Sequence, residues 1–204
     1  MSTTAFPATL TIDYPDRPLD RLSTFFRPLL AIPIVILLAL IAGPLTHSPW
    51  PTALGAGGVL FVPTVLMLLF RKKYPRWWYD WNLALVNFST RCAAYLALLS
   101  DEYPSTDQEQ EVHIAISYPN VELDLSPGMP LIKWFLAIPH YIVLWALGIA
   151  AVVCVIIAWF AILFTGRYPK SLFNFVTGVF RWSLRVSAYA FLLTTDQYPP
   201  FSIE

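Results

Sequence analysis

Two arginines stand at matching places in the two halves of this chain, each four residues before a tyrosine on a predicted helix. Arg91 precedes Tyr95, and Arg185 precedes Tyr189. A guanidinium at such a place can bind a lipid phosphate or pair with an acid of the other half. The simpler interpretation, which we favour, is that each cation only anchors its helix near anionic headgroups while its aliphatic stem stays in apolar surroundings.

Two aspartates follow the same predicted helices. Asp101 and Asp196 each precede a Tyr-Pro pair at the carboxyl end of the helix. A carboxylate is unfavourable at the negative end of a helix dipole, so we expect each aspartate to have a cationic partner. Arginines of the opposite half are the candidates. A structural ion pair is favoured over catalysis, because ion-pair networks also perturb charges without performing chemistry.

Aromatic and basic side chains on these helices supply the other predicted contacts with lipid or with a partner protein. Trp and Tyr concentrate at the membrane–water interface, and Arg suits anionic headgroups. The predicted contact residues are Trp77, Trp78, Trp81, Arg91, Tyr95, Arg181, Trp182, Arg185 and Tyr189.

His140 lies near the start of a long apolar segment, where an ionisable group is a functional candidate by default. Its counterpart in the first half is Ile34, so we favour a hydrogen-bonded interfacial histidine. The sequence has no phosphate-binding loop, zinc-protease motif or nucleophile elbow. We therefore predict no enzymatic activity, no cofactor and no metal site. The net charge of zero argues against a nucleic-acid partner.

The candidate residues recur because the two halves of the sequence contain the same motifs in the same order. Each half begins with an alternating segment that ends in Tyr-Pro. It continues through a basic residue to Leu-Ala-Ile-Pro and closes with Ser-x-Arg-x-x-Ala-Tyr-x-x-Leu-Leu. Because repeats set the architecture, we predict a first repeat over residues 1–104, a linker over 105–110 and a second repeat over 111–204. These repeats are called the first half and the second half below.

Charge is scarce and segregated along the chain. Only 13% of the residues are charged and 57% are hydrophobic. No Asp, Glu, Lys or Arg occurs from Pro28 to Phe70 or from Trp134 to Gly166, which indicates membrane helices. Each run exceeds one span, so we predict hairpins over about 28–70 and 131–166. The first would turn at Gly43-Pro44 and the second near Gly148, with a re-entrant second hairpin as the alternative.

These segments predict an all-α membrane protein with four transmembrane helices. Amphipathic interfacial helices are predicted over about 76–100 and 171–195. Alternating segments at Ala8–Tyr14 and Glu111–Tyr118 predict two strands that pair into a minor β-ribbon on the cytoplasmic side. If both hairpins begin and end on one side, every Lys and Arg lies there, which predicts cytoplasmic termini.

The duplicated Tyr-Pro corners, the Leu-Ala-Ile-Pro entries and the basic Tyr-Pro exits resemble a bacterial integral-membrane family known only as a domain of unknown function. The resemblance runs from about Leu10 to Pro199. It implies a multi-pass protein of the bacterial cytoplasmic (inner) membrane and supplies no activity or substrate.

The leading functional hypothesis is a non-enzymatic scaffold or accessory subunit of a membrane complex, whose interfacial helices contact lipid headgroups. Its expected partners are membrane lipids and either another integral membrane protein or further copies of the chain. The alternative is an oligomeric small channel or lipid-handling transporter, whose uncharged helices would line a hydrophobic gate or a lipid groove.

Overall fold

The computed structural model describes residues 6–42, 61–106, 108–121, 125–126 and 128–204. Within these ranges the chain is mostly helical and has one small sheet. The elements in chain order are β1 (Ala8–Ile12), α1 (Arg21–Leu30), α2 (Ile32–Ala42), α3 (Phe61–Arg71), α4 (Arg76–Leu96), β2 (Val112–Ile116), α5 (Met129–Leu136), α6 (Ile138–Thr165) and α7 (Lys170–Ala190).

Both Leu-Ala-Ile-Pro motifs form the joint between two consecutive helices. Ala31 separates α1 from α2, and Ala137 separates α5 from α6. Each alanine still donates its N–H to the carbonyl four residues earlier, at 2.9 Å in both cases. Pro33 and Pro139 follow two residues later and have no N–H to continue the hydrogen-bond ladder, so the helix is interrupted at this point.

The predicted hairpin with a turn near Gly148 is wrong. The structure has one continuous helix, α6, of 28 residues from Ile138 to Thr165. A single glycine costs only about 1 kcal/mol relative to alanine inside a helix, so Gly148 does not end it. At 1.5 Å per residue the helix is about 42 Å long, which exceeds the roughly 30 Å thickness of a hydrocarbon core.

Two helical segments among the described residues are long and apolar enough to cross a membrane: Arg21–Leu38 and Ile138–Thr165. The four transmembrane helices of the prediction are not supported. The described part of α3 has 11 residues, about half of a typical span. The predicted turn at Gly43-Pro44 lies outside the described residues.

The predicted β-ribbon is confirmed. β1 and β2 pair antiparallel, with Leu10 opposite Ile114. A two-stranded ribbon is marginal by itself, and helices on each strand support it. α7 packs against β1, and α4 packs against β2, so each strand rests on the long helix of the other half. Arg181 strengthens one contact by donating from Nε to the Leu10 carbonyl at 3.1 Å.

The apolar stripes of α4 and α7 face the interior of the molecule. We predicted that these stripes lie in the headgroup region, but all of their residues except Trp81 and Phe175 are buried. Periodicity alone identifies an apolar face and does not say what covers it. The buried stripe residues are Leu85, Phe88, Cys92 and Tyr95 in α4 with Leu99 just after it, and Val179, Trp182, Val186 and Tyr189 in α7 with Leu193 just after it.

Candidate functional site

A buried cation in α1 lies at the centre of the first half. Arg27 is 1% exposed and forms an ion pair with Asp101. Its guanidinium also donates to the carbonyls of Tyr95 at 3.2 Å and Ser100 at 2.9 Å, and it lies over the Tyr95 ring at 4.5 Å. The charge is therefore held by one carboxylate, two carbonyls and an aromatic face, as a buried cation requires.

The second half contains the corresponding arrangement around a lysine. Lys133 is completely buried, and its Nζ lies 2.7 Å from Asp196 Oδ1 and 2.8 Å from the Thr195 carbonyl. It also lies 5.4 Å from the centre of the Tyr189 ring. Burial lowers the pKa of Lys133, while the hydrogen bond and the charge of Asp196 oppose this shift.

Asp101 and Asp196 are each positioned by an unusual turn, which follows α4 in the first half and α7 in the second. Leu98 and Leu193 have positive φ angles of 63° and 57°, a left-handed conformation that is uncommon for a residue with a side chain. Both leucines are buried, so packing holds the turns. Each turn directs the following chain back to the buried cation. The structure thus pairs Asp101 and Asp196 with cations of the same half, whereas we predicted arginines of the opposite half.

Arg91 and Arg185 bind the backbone that follows their helices. Arg91 donates to the carbonyl of Ser105 at 2.7 Å. Arg185 donates to the carbonyl of Ser202 at 3.3 Å and also to that of Glu204. Both side chains are partly buried, and burial lowers the pKa of Arg185, as does the nearby charge of Arg181. These two arginines therefore tether the linker and the C-terminal tail.

The aromatic contact candidates divide into an exposed and a buried group. Trp77 and Trp81 are 68% and 43% exposed. Trp78 lies between them, stacks on Trp81 and donates from Nε1 to Thr64 Oγ1 at 2.9 Å. The others are buried inside the chain, so their rings pack against protein. These buried candidates are Tyr95, Trp182 and Tyr189.

His140 is buried and hydrogen-bonded. Its Nδ1 accepts from Nε1 of Trp182 at 3.1 Å, so Nε2 carries the proton of the neutral ring. The ring of Phe201 stacks on the imidazole with centroids 3.9 Å apart. The C-terminal tail continues from there onto α7, where Ile203 packs directly against Gly178.

Tyr-Pro corners join the two halves. Tyr14 donates its hydroxyl to the Tyr168 carbonyl at 2.6 Å, and Tyr118 donates to the carbonyl of Tyr74. A cation covers each donor ring: Lys170 lies 4.9 Å from the Tyr14 ring, and Arg76 lies 4.9 Å from the Tyr118 ring. Each half thus supplies a tyrosine that fastens the corner of the other half.

Sequence reasoning missed Arg27 and Lys133 as central residues. Their signal was present, because each is the basic residue four positions before the alanine of Leu-Ala-Ile-Pro. We predicted no partner for either cation. Only the folded chain shows that the segments after α4 and α7 return to enclose them.

Comparison with known proteins identifies one domain. A DUF4389 domain, described as a domain of unknown function, is found at residues 130–202. This range holds α6 and α7 with the Lys133–Asp196 pair and His140. No curated protein and no solved structure matches the chain.

Proposed function

We propose that the chain is a membrane-embedded scaffold or accessory subunit that has no enzymatic activity of its own. The observation that carries this proposal is the exposed apolar face of α6. Apolar side chains remain exposed along nearly its whole length at helical spacing, a pattern that requires lipid or another helix as its cover. The exposed face consists of Ile142, Trp145, Ile149, Val152, Val153, Ile156, Ile157, Phe160 and Phe164.

The pairing of cations with groups of the same chain supports a structural role. The buried cations Arg27 and Lys133 are held by aspartates and carbonyls. Arg91 and Arg185 are bound to backbone carbonyls. A substrate or a proton path needs accessible polar groups that change partners, whereas these groups fix segments of the chain to each other.

A tandem duplication gives the simplest account of the architecture. Equivalent cations pair with equivalent aspartates in each half, equivalent tyrosines bind a corner of the other half, and each strand packs on a helix of the other half. Under this proposal the two repeats arose as one unit and fold as an interlocked pair, which presents the apolar faces outward to lipid and to a partner.

We place the protein in the bacterial inner membrane with both termini in the cytoplasm. The contacts of α7 with both terminal segments support this proposal, because Arg181 binds β1 and Arg185 binds the C-terminal tail. Basic residues near membrane helices favour the cytoplasmic side. The exposed tryptophans Trp77 and Trp81 then lie at headgroup level on that side.

Native mass spectrometry of the protein, extracted gently from its own membrane, tests the scaffold proposal. We expect another membrane protein at fixed stoichiometry. A photoreactive residue at Trp145, on the exposed face of α6, should crosslink to that protein. The same residue at Arg17, an exposed position near the ribbon, is the matched control. A homo-oligomer that carries only lipid, with no protein adduct at residue 145, would refute the accessory-subunit role.

A lipid-handling function is the second candidate, and one cavity favours it. An apolar groove of about 250 Å³ lies between α1 and α6 and is lined by Thr24, Val155, Ile156 and Trp159, with Arg27 among the lining residues. Its volume and apolar lining suit part of an acyl chain. Lipid scrambling by the purified protein in proteoliposomes, lost when Ile156 is replaced by Trp to fill the groove, would favour this function over the scaffold.

A further inference from the structure

We infer that the corner between α3 and α4 is a binding surface for anionic lipid headgroups, formed by Arg71, Lys72 and Lys73 together with Trp77 and Trp81. This inference rests on the proposed membrane location. It specifies the class of lipid that binds beside the exposed tryptophans. All three cations are exposed. In the described part of the chain, none of their side chains forms an ion pair or a hydrogen bond.

The backbone holds the three cations at the end of α3. Arg71 is the last residue of the helix, where a cation is favoured by the helix dipole. Lys72 has a positive φ of 46°, which turns the chain sharply after the helix. Tyr74 then enters the interior, where it is 4% exposed and donates to the Leu192 carbonyl at 2.9 Å. The basic segment is therefore a fixed outer corner.

Neighbouring side chains give this corner the depth profile of a bilayer leaflet. Val62, Leu66 and Phe70 form an exposed apolar stripe on α3 that leads to the cations. Trp77 and Trp81 form an exposed aromatic face at the start of α4. Acyl chains suit the stripe, anionic headgroups suit the cations, and indole rings suit the interface between them. An acidic soluble protein would account for the cations and leave the stripe unexplained.

The corresponding corner of the second half lacks this combination. Arg167 and Lys170 are its cations, and the Lys170 ammonium lies over the Tyr14 ring. Ser171 stands two residues after Pro169, whereas Trp77 stands two residues after Pro75. The two corners are alike only in the cation that follows the proline. Arg76 lies over the Tyr118 ring, as Lys170 lies over the Tyr14 ring, and it also pairs with Asp80 at 3.4 Å. The surface is therefore specific to the first half.

Lipid titration of the full-length protein in neutral detergent tests the inference. The probes are phosphatidylglycerol and phosphatidylcholine with identical acyl chains, and native mass spectrometry measures retention. We expect preferential retention of phosphatidylglycerol. The variant K72Q/K73Q should lose about fivefold in affinity for each lysine, the effect of one cation near an anionic surface. It should leave phosphatidylcholine retention unchanged.

The control variant R17Q/R167Q removes the same charge from two exposed positions elsewhere and should keep the preference. Equal retention of the two lipids by the unmodified protein would overturn the inference, as would equal losses in both variants. Unchanged lipid retention in K72Q/K73Q together with loss of a partner protein would assign the cations to an acidic protein segment instead. Failure of the scaffold proposal has a different signature, the absence of a protein partner while the lipid preference persists.

Discussion

Lys133 Nζ lies 2.7 Å from Asp196 Oδ1, and the lysine side chain is fully enclosed by protein. Removal of one partner from such a pair leaves an uncompensated charge in the interior. We expect Asp196→Asn to destabilise the protein by about 3 kcal/mol, the lower end for a buried pair because the Asp196 side chain is 20% exposed. The midpoint of thermal unfolding in detergent measures the loss. K133M/D196N, which replaces the pair by neutral groups, should recover most of it.

The single variant Asp196→Asn, which retains Lys133, should show a characteristic dependence of its stability on pH. Burial lowers the pKa of Lys133 below its ordinary value of 10.5, and Asp196→Asn removes the opposing carboxylate. Above the folded-state pKa, the native protein has lost the proton while the unfolded chain retains it up to 10.5. Stability therefore rises with pH in this window. Unfolding midpoints recorded against pH should converge on those of the unmodified protein as the pH approaches the ordinary lysine value.

Asp101→Asn is the matched control for that pH dependence. It removes the partner of Arg27, and a guanidinium stays protonated throughout the accessible range. We expect destabilisation without recovery at high pH. If both variants followed parallel curves, the titration of Lys133 would not be the cause.

Gly178→Ala should release the C-terminal tail from α7. A Cβ at residue 178 would lie 2.6 Å from the carbonyl oxygen and 3.0 Å from Cβ of Ile203. We expect a loss of about 1–3 kcal/mol, as for other overpacked sites, and faster removal of the tail by carboxypeptidase. Gly128→Ala is the control, because a Cβ there meets nothing within 4 Å. Equal digestion rates of the two variants would contradict the prediction.

Tyr14→Phe and Tyr118→Phe test the corners that join the halves. Each removes one hydroxyl that donates to a carbonyl of the other half and retains the ring below its cation. We expect about 1 kcal/mol for each variant, the net value of a typical hydrogen bond. Hydrogen exchange should increase at the α6–α7 junction in Tyr14→Phe and at the α3–α4 junction in Tyr118→Phe. If Tyr14→Phe increased exchange at the α3–α4 junction and Tyr118→Phe at the α6–α7 junction, each tyrosine would bind its own half and the prediction would be wrong.

Cys92 should resist thiol reagents in the folded protein. The side chain is 1% exposed, and burial raises the pKa of its thiol to about 12, so the reactive thiolate is scarce at neutral pH. In a Cys154→Ser variant, maleimide should label the protein only after unfolding. Rapid labelling of the native variant would place α4 at the surface.

Local patterns were sufficient for the ribbon and for the helices α4 and α7. Alternation of apolar and polar residues over five positions identified β1 and β2, because successive side chains of a strand point to opposite faces. Pro75 and Pro169 marked the starts of α4 and α7, since proline is compatible with the entry to a helix and not with its interior. These features depend on residues that are close together in the chain, so they can be predicted from the sequence alone.

Only the tertiary structure decided what covers each apolar face and which charges pair. Tyr95 and Trp182 carry the same periodic signal whether lipid or protein surrounds them, because hydrocarbon and a protein interior are similarly apolar. The partners of Arg27 and Lys133 lie more than sixty residues away and are brought near by left-handed turns at Leu98 and Leu193. The sequence by itself determined the two paired strands, the helices α4 and α7, and their order along the chain. The packing of those elements determined that α6 continues through Gly148 and that the aspartates pair within their own halves.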